Sequence, residues 1–140
     1  MTGTHGLIDV HAHVVLEGSM GAAGRFGPEI GCHHDGTPWF RVGEWVLDGV
    51  PYRGSLFMDV DLRMAAMDAA GIGRQVLSPN PLTFFHWIDA ANATDFCRRH
   101  NDALAEIVAA HPDRLLGFAA LPMQDPSAAV RELQLSLIHI

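Results

Sequence analysis

No lysine occurs anywhere in the 140 residues, so all nine cationic side chains are arginines. That absence excludes a Schiff-base lysine, a P-loop lysine and a carboxylated-lysine metal bridge. Cysteine is almost absent too. Cys32 and Cys97 are far apart, form no C-x-x-C pair and cannot define a disulfide framework in a chain of this size, so both read as reduced thiols. Long hydrophobic runs are missing: Gly, Pro or charge interrupts every apolar stretch before the ~18 residues that a membrane span needs. Met1-Thr2-Gly3-Thr4-His5 has no basic leader region, and the apolar stretch behind it carries Asp9, His11 and His13. A secretory signal is therefore not read here, and a cytoplasmic protein is expected. Bases are few and dispersed, giving a net charge of −7 against 16 acids. No stretch could neutralise a phosphate backbone, so neither nucleic acid nor a membrane is expected as a partner.

What is present is the material of a folded domain. A hydrophobic content of 49% with 18% charged residues argues against disorder, and the length fits one domain. Leu7 to Val15 alternates branched apolar residues with Asp9, His11 and His13, the period-2 pattern of a strand with two unlike faces. Residues 16–57 turn Gly-rich and aromatic, too long for a structureless connection, and are expected to form an elaborated insertion. Within it, Trp39-Phe40-Arg41-Val42 and Trp45-Val46-Leu47 are expected to pair as short strands.

From Asp59 the pattern becomes helical. Asp59 or Asp61 serves as the cap, Leu62, Ala65, Ala66 and Ala69 form one stripe, and Gly71 stands just past the end. Ile72 to Leu77 reads as a buried strand closed by Ser78-Pro79-Asn80-Pro81. Asp89 to Ala110 reads as a long helix with Phe96, Leu104, Ile107 and Val108 on its apolar side, stopped at His111-Pro112. Leu115 to Leu121 is a third strand candidate, and Asp125-Pro126-Ser127 opens another helix. Strand and helix alternate, which predicts an α/β fold with a parallel sheet and right-handed crossovers. A (β/α)8 barrel needs ~250 residues, so such a barrel could be only about half present.

His11 and His13 are the chemical centre of this reading. On a strand they project to one side, with Cα atoms about 6–7 Å apart, so two imidazoles can converge on one metal ion. Asp9 has the same parity and could orient a ligand imidazole through its second ring nitrogen. An isolated H-x-H is weak evidence, but the end of the first strand of a β/α series is where such folds keep their chemistry. Cys32-His33-His34-Asp35 has zinc-ligand residue types without zinc-site spacing and reads as a mobile polar loop. Gly71-Ile72-Gly73 follows a helix, lacks a third glycine and is not a dinucleotide fingerprint. His86 and Trp87 could line a pocket mouth; His100 and His111 read as ordinary helix and turn residues. No nucleophile with a base at motif spacing occurs.

Ile8-Asp9-Val10-His11-Ala12-His13 resembles the strand-1 signature of the amidohydrolase superfamily. Met67-Asp68-Ala69-Ala70-Gly71-Ile72, Gln75-Val76-Leu77-Ser78, Arg99-His100-Asn101-Asp102, His111-Pro112-Asp113-Arg114-Leu115 and Ala120-Leu121-Pro122-Met123-Gln124-Asp125-Pro126 resemble its amidohydrolase-related branch, which contains aminocarboxymuconate-semialdehyde decarboxylase. The resemblance implies a metal-dependent TIM barrel acting on a small, often carboxylated, ring or ring-derived substrate. It implies that His11 and His13 are metal ligands, with zinc expected first and manganese second. It further implies that Arg53 holds a substrate carboxylate and that Phe84 lines the pocket. Arg53 otherwise reads as a solvent-facing loop residue, and Phe84 as packing beneath its loop. The remaining ligands and the catalytic residues would lie beyond residue 140, and a homodimer is the assembly expected of the full-length protein.

The insertion and Arg53 favour a nonoxidative decarboxylase over a hydrolase or hydratase of the same family. A small α/β binding domain, or an inactive fragment, is the alternative of another class. Residues 1–134 are expected to be the N-terminal portion of one barrel domain. Leu135 to Ile140 breaks the helical pattern of Ala128 to Gln134, resembles a translated transposon-based sequencing adapter, and is expected to be a non-native tail.

Overall fold

A computed structural model describes residues 6–139 of the protein. Met1 to His5, where the absence of a leader was read, and Ile140 lie outside the described residues. Two three-stranded sheets organise the chain. The first is wholly parallel, in the order β1 (Leu7–Val14), β5 (Ile72–Pro79), β6 (Leu115–Gly117). The second lies within the insertion and is antiparallel, in the order β2 (Glu29–Cys32), β3 (Pro38–Val42), β4 (Trp45–Asp48). The expected pairing of Trp39–Val42 with Trp45–Leu47 is present, with Phe40 opposite Leu47.

Three helices follow the three parallel strands: α1 (Val60–Ala69), α2 (Ala90–Ala110) and α3 (Pro126–His139). Asp59 caps α1 by accepting the Leu62 N–H at 2.9 Å, and Asp89 caps α2 through the Asn92 N–H at 3.0 Å. Gly71 ends the first unit with φ +70°, a conformation that glycine adopts without a Cβ penalty. Among the described residues no helix is long and apolar enough to cross a membrane.

Three local expectations are corrected. The stripe of α1 that faces inward carries Arg63 and Met67, while Leu62, Ala65 and Ala69 are exposed. Arg63 turns inward because buried acceptors wait for it, which no apolar pattern can express. The third strand stops at Gly117 rather than Leu121. Beyond it Asn101 takes both main-chain groups of Ala120, accepting its N–H at 2.8 Å and donating to its carbonyl at 2.9 Å, which replaces a strand partner. Cys32 ends β2, and His33 to Asp35 begin the polar loop to β3, in which the His33 N–H donates to the Thr37 carbonyl and Asp35 accepts the Thr37 N–H. Finally, α3 runs unbroken past Gln134 to His139. Its inward stripe is Ala129, Glu132 and Ser136, small and polar residues at helical spacing that a search for apolar periodicity passes over.

Two cores hold this arrangement. Ala12, Val14 and Leu16 of the first strand segment meet Met67, Leu77, Leu104 and Leu115 between the parallel sheet and its helices. A second cluster, built around Phe40, Val42, Tyr52, Phe85, Phe96 and Cys97, clamps the insertion onto the loop after β5 and the start of α2. Their burial removes apolar area worth ~25 cal/mol per Å² from water and fixes the insertion relative to the end of β1.

Candidate metal centre

His11 and His13 stand on the face of β1 turned away from the helices, near its C-terminal end. Their rings are 5.1 Å apart between centroids and nearly perpendicular, at 81°. His11 is exposed and His13 is half-buried. His13 Nδ1 lies 3.1 Å from the Pro79 carbonyl oxygen and 2.9 Å from Ser78 Oγ, both at the end of β5. A carbonyl only accepts, so the proton belongs on Nδ1 and the Nε2 lone pair is left free for a cation. Two neighbouring imidazoles, one with its tautomer fixed, are of the residue type that ligates a divalent metal. Among the described residues no third His, Cys, Asp or Glu completes a ligand set.

Asp9 does something other than the role expected of it. Its Oδ1 accepts the main-chain N–H of His11 at 3.0 Å, and its Oδ2 accepts from Gln75 Nε2 at 2.7 Å, so both oxygens are engaged away from the imidazoles. The pairing register explains the change. Asp9 is opposite Gln75 and Ala12 is opposite Leu77, so three residues on β1 span what two span on β5. The extra residue is a bulge, and it returns Asp9 to the side of the sheet that faces α1. The hydrogen bond from the His11 main chain, and then that from Gln75, holds the Asp9 carboxyl below the usual carboxylate range.

Arg63 completes the support. It is 7% exposed and donates to the main-chain carbonyl of His13 at 2.8 Å and to Gln75 Oε1 at 2.7 Å. Burial pulls its pKa down, and the Asp9 charge opposes that shift. Sequence reasoning missed Arg63, Gln75, Ser78 and Pro79. The one available signal was Gln75, an amide in a segment, Ile72 to Leu77, that reads as a buried strand, where a buried polar group demands partners.

Arg53 and Phe84 occupy loops beyond the strand ends. Arg53 makes a two-pronged ion pair with Glu17, at 2.6 Å and 3.2 Å, in which both side chains are exposed. The Glu17 carboxylate raises the Arg53 pKa further. Its neighbour Tyr52 is buried against Phe40 at 4.6 Å, and the Tyr52 hydroxyl accepts from Asn80 Nδ2 at 3.1 Å, which ties this segment to the end of β5. A cleft of about 410 Å³ is lined by Glu17, Arg53, Gly54 and the start of α1. Phe84 is exposed, and the packing beneath its loop is done by Phe85, which lies 4.7 Å from Phe96. Phe85 holds a left-handed backbone, φ 52°, pinned by Gln124 Nε2 donating to its carbonyl at 2.6 Å. His86 and Trp87 are exposed beside it. His33 pairs with Asp48 at 2.7 Å, which occupies one of the histidines of the Cys32–Asp35 segment.

The family model for amidohydrolases matches residues 8–137. The chain belongs to the amidohydrolase family. Within it, a gamma-resorcylate decarboxylase from Rhizobium radiobacter is 50% identical over 74 residues, covering 53% of this chain and 23% of that protein. A 2-amino-3-carboxymuconate-6-semialdehyde decarboxylase from Dictyostelium discoideum is 27% identical over 137 residues, covering 95% of this chain and 37% of its own length. The crystal structure of a dihydroxybenzoic acid decarboxylase from Polaromonas sp. JS666, with bound manganese and the inhibitor 2-nitroresorcinol, superimposes with a TM-score of 0.64 at 33% identity. That match covers 92% of this amidohydrolase chain and 34% of the Polaromonas chain. This chain therefore spans between about a quarter and two-fifths of the length of these relatives.

Proposed function

We propose that this amidohydrolase chain is the metal-binding N-terminal part of a nonoxidative decarboxylase acting on a small aromatic or ring-derived carboxylate. The observation that carries the reading is the His11–His13 pair, side by side at the end of β1, with the His13 tautomer set by the Pro79 carbonyl. Three β/α units in a parallel order agree with the opening three of the eight units of a (β/α)8 barrel, and β1 and β6 are the edges at which further strands would join.

In this reading His11 and His13 hold a divalent cation, which when bound supplies a positive charge that polarises a substrate oxygen. Zinc and manganese both suit imidazole with further carboxylate ligands; manganese has the support of the Polaromonas relative. Arg53 takes the substrate carboxylate. Its two-pronged pairing with Glu17 supports that role, because the same N–H groups would donate to a substrate carboxylate in place of Glu17. Phe84 offers an exposed ring for the substrate to pack against. The reaction breaks the bond between the ring carbon and its carboxylate, places a proton on that carbon and releases carbon dioxide. The proton donor belongs to the part of the barrel beyond this chain.

The test uses the gene read beyond residue 134. Release of carbon dioxide from 2,6-dihydroxybenzoate should depend on added metal, and restoring a chelator-stripped sample with Mn²⁺ or Zn²⁺ separately identifies the ion. Arg53→Ala should lower kcat/KM by about a hundredfold. Turnover that ignores the chelator, or unchanged kinetics in the variant, removes the metal and the arginine role respectively.

A further inference from the structure

A series of hydrogen bonds through Arg63, Gln75 and Asp9 begins on the main-chain carbonyl of His13 and ends on the main-chain N–H of His11. It runs from α1 across β5 to β1, and Arg63 and Gln75, each 7% exposed, form its buried stretch. The segment it grips is the bulged one, where the regular ladder is interrupted between Asp9 and Ala12 and main-chain groups lack their usual partners. We propose that Arg63, Gln75 and Asp9 are positioning residues that fix the spacing and aim of the two imidazoles for a divalent cation. The proposal rests on the reading of His11 and His13 as metal ligands.

The series has one polarity. Arg63 only donates and ionised Asp9 only accepts, so the Gln75 amide satisfies both in a single orientation, with oxygen toward Arg63 and nitrogen toward Asp9. This makes the series testable by exchanging donors and acceptors within it. In Asp9→Asn the new amide meets two donors, Gln75 Nε2 and the His11 N–H, and has one oxygen to offer. Turning Gln75 over moves the conflict to Arg63. Every arrangement leaves one donor facing another. Adding Gln75→Glu removes the conflict. The carboxylate introduced at position 75 accepts from both Arg63 and the amide introduced at position 9, whose oxygen accepts the His11 N–H.

The experiment titrates Zn²⁺ into the 140-residue chain against a chromophoric chelator, alongside hydrogen exchange at the His11 amide and denaturant melts. Asp9→Asn should weaken Zn²⁺ binding about tenfold or more and speed exchange at His11 while the protein stays folded. The D9N/Q75E double variant should recover wild-type affinity and slow exchange. A role confined to fold stability would lower the melting free energy and leave the Zn²⁺ affinity of the folded protein unmoved, which would overturn the proposal. So would a double variant no better than D9N. Were D9N to unfold, the double variant alone decides, because the polarity requires it to fold and to bind Zn²⁺ as the wild type does. His11→Ala and His13→Ala separate the two readings. If they bind Zn²⁺ like the wild type, the metal site itself is refuted and the proposal falls with it, while exchange at the His11 amide still reports whether the series holds the strand.

Discussion

His100 is buried in the middle of α2. Its sequence position, inside a helix between Arg99 and Asn101, reads as ordinary. In the fold it is 1% exposed and stacked on Phe96 at 5.5 Å, and its Nε2 has no hydrogen-bond partner among the described residues. Burial pushes its pKa down to about 4 from 6.5. The unfolded chain therefore binds a proton that the folded one refuses, and folding stability falls as the pH drops from about 6.5 to about 4. A shift of that size corresponds to roughly 3 kcal/mol. Urea melts between pH 7 and pH 4 should show this loss, and His100→Leu should flatten it; equal slopes in the two proteins would refute the assignment. Gly43 gives a second prediction at this scale. Its φ is +61°, and a Cβ there would lie 2.5 Å from the Trp87 ring. Gly43→Ala should cost about 1–3 kcal/mol and shift tryptophan fluorescence as Trp87 leaves its place.

At the scale of the element, caps and breakers were legible while inward faces were not. Asp59, Asp89, Gly71 and His111-Pro112 act through their own backbone neighbours, so the boundaries of α1 and α2 follow from local chemistry. Asp59→Ala should lower stability by about 1 kcal/mol in a denaturant melt, and a normal melt would mean that the cap is replaced by water or a neighbour. Faces depend on partners distant in sequence. Arg63 turns inward because the His13 carbonyl and Gln75 are there, and Asn101 ends β6 early because Ala120 passes within its reach. The bulge in β1 belongs to the same class. Alternation put Asp9 beside the histidines; only the pairing with Gln75 reveals that one residue is absorbed between them.

For the whole molecule, β1 and β6 are the sheet's outer strands, and apolar side chains cluster along them. Leu7, Ile8 and Val10 are 60–71% exposed, and Phe118, just past β6, is 55% exposed. Unpaired strand edges with apolar side chains recruit other chains. The 140-residue chain should therefore self-associate in a concentration-dependent way by analytical ultracentrifugation, and Val10→Lys should shift it toward monomer. A monodisperse wild-type monomer with a cooperative melt would count against the open barrel proposed above.

The sequence by itself determined the alternation of strands and helices, the short paired strands around Trp39 and Trp45, the boundaries of α1 and α2 and the placing of His11 beside His13, because each follows from spacing or from groups within a few residues of one another. The tertiary structure alone decided which nitrogen of His13 is free, that Asp9 serves the backbone rather than an imidazole, and that Arg63 is buried beneath the site. Those outcomes are set by hydrogen-bond partners 50 to 66 residues away in the chain, whose positions exist only once β1, β5 and α1 have packed together.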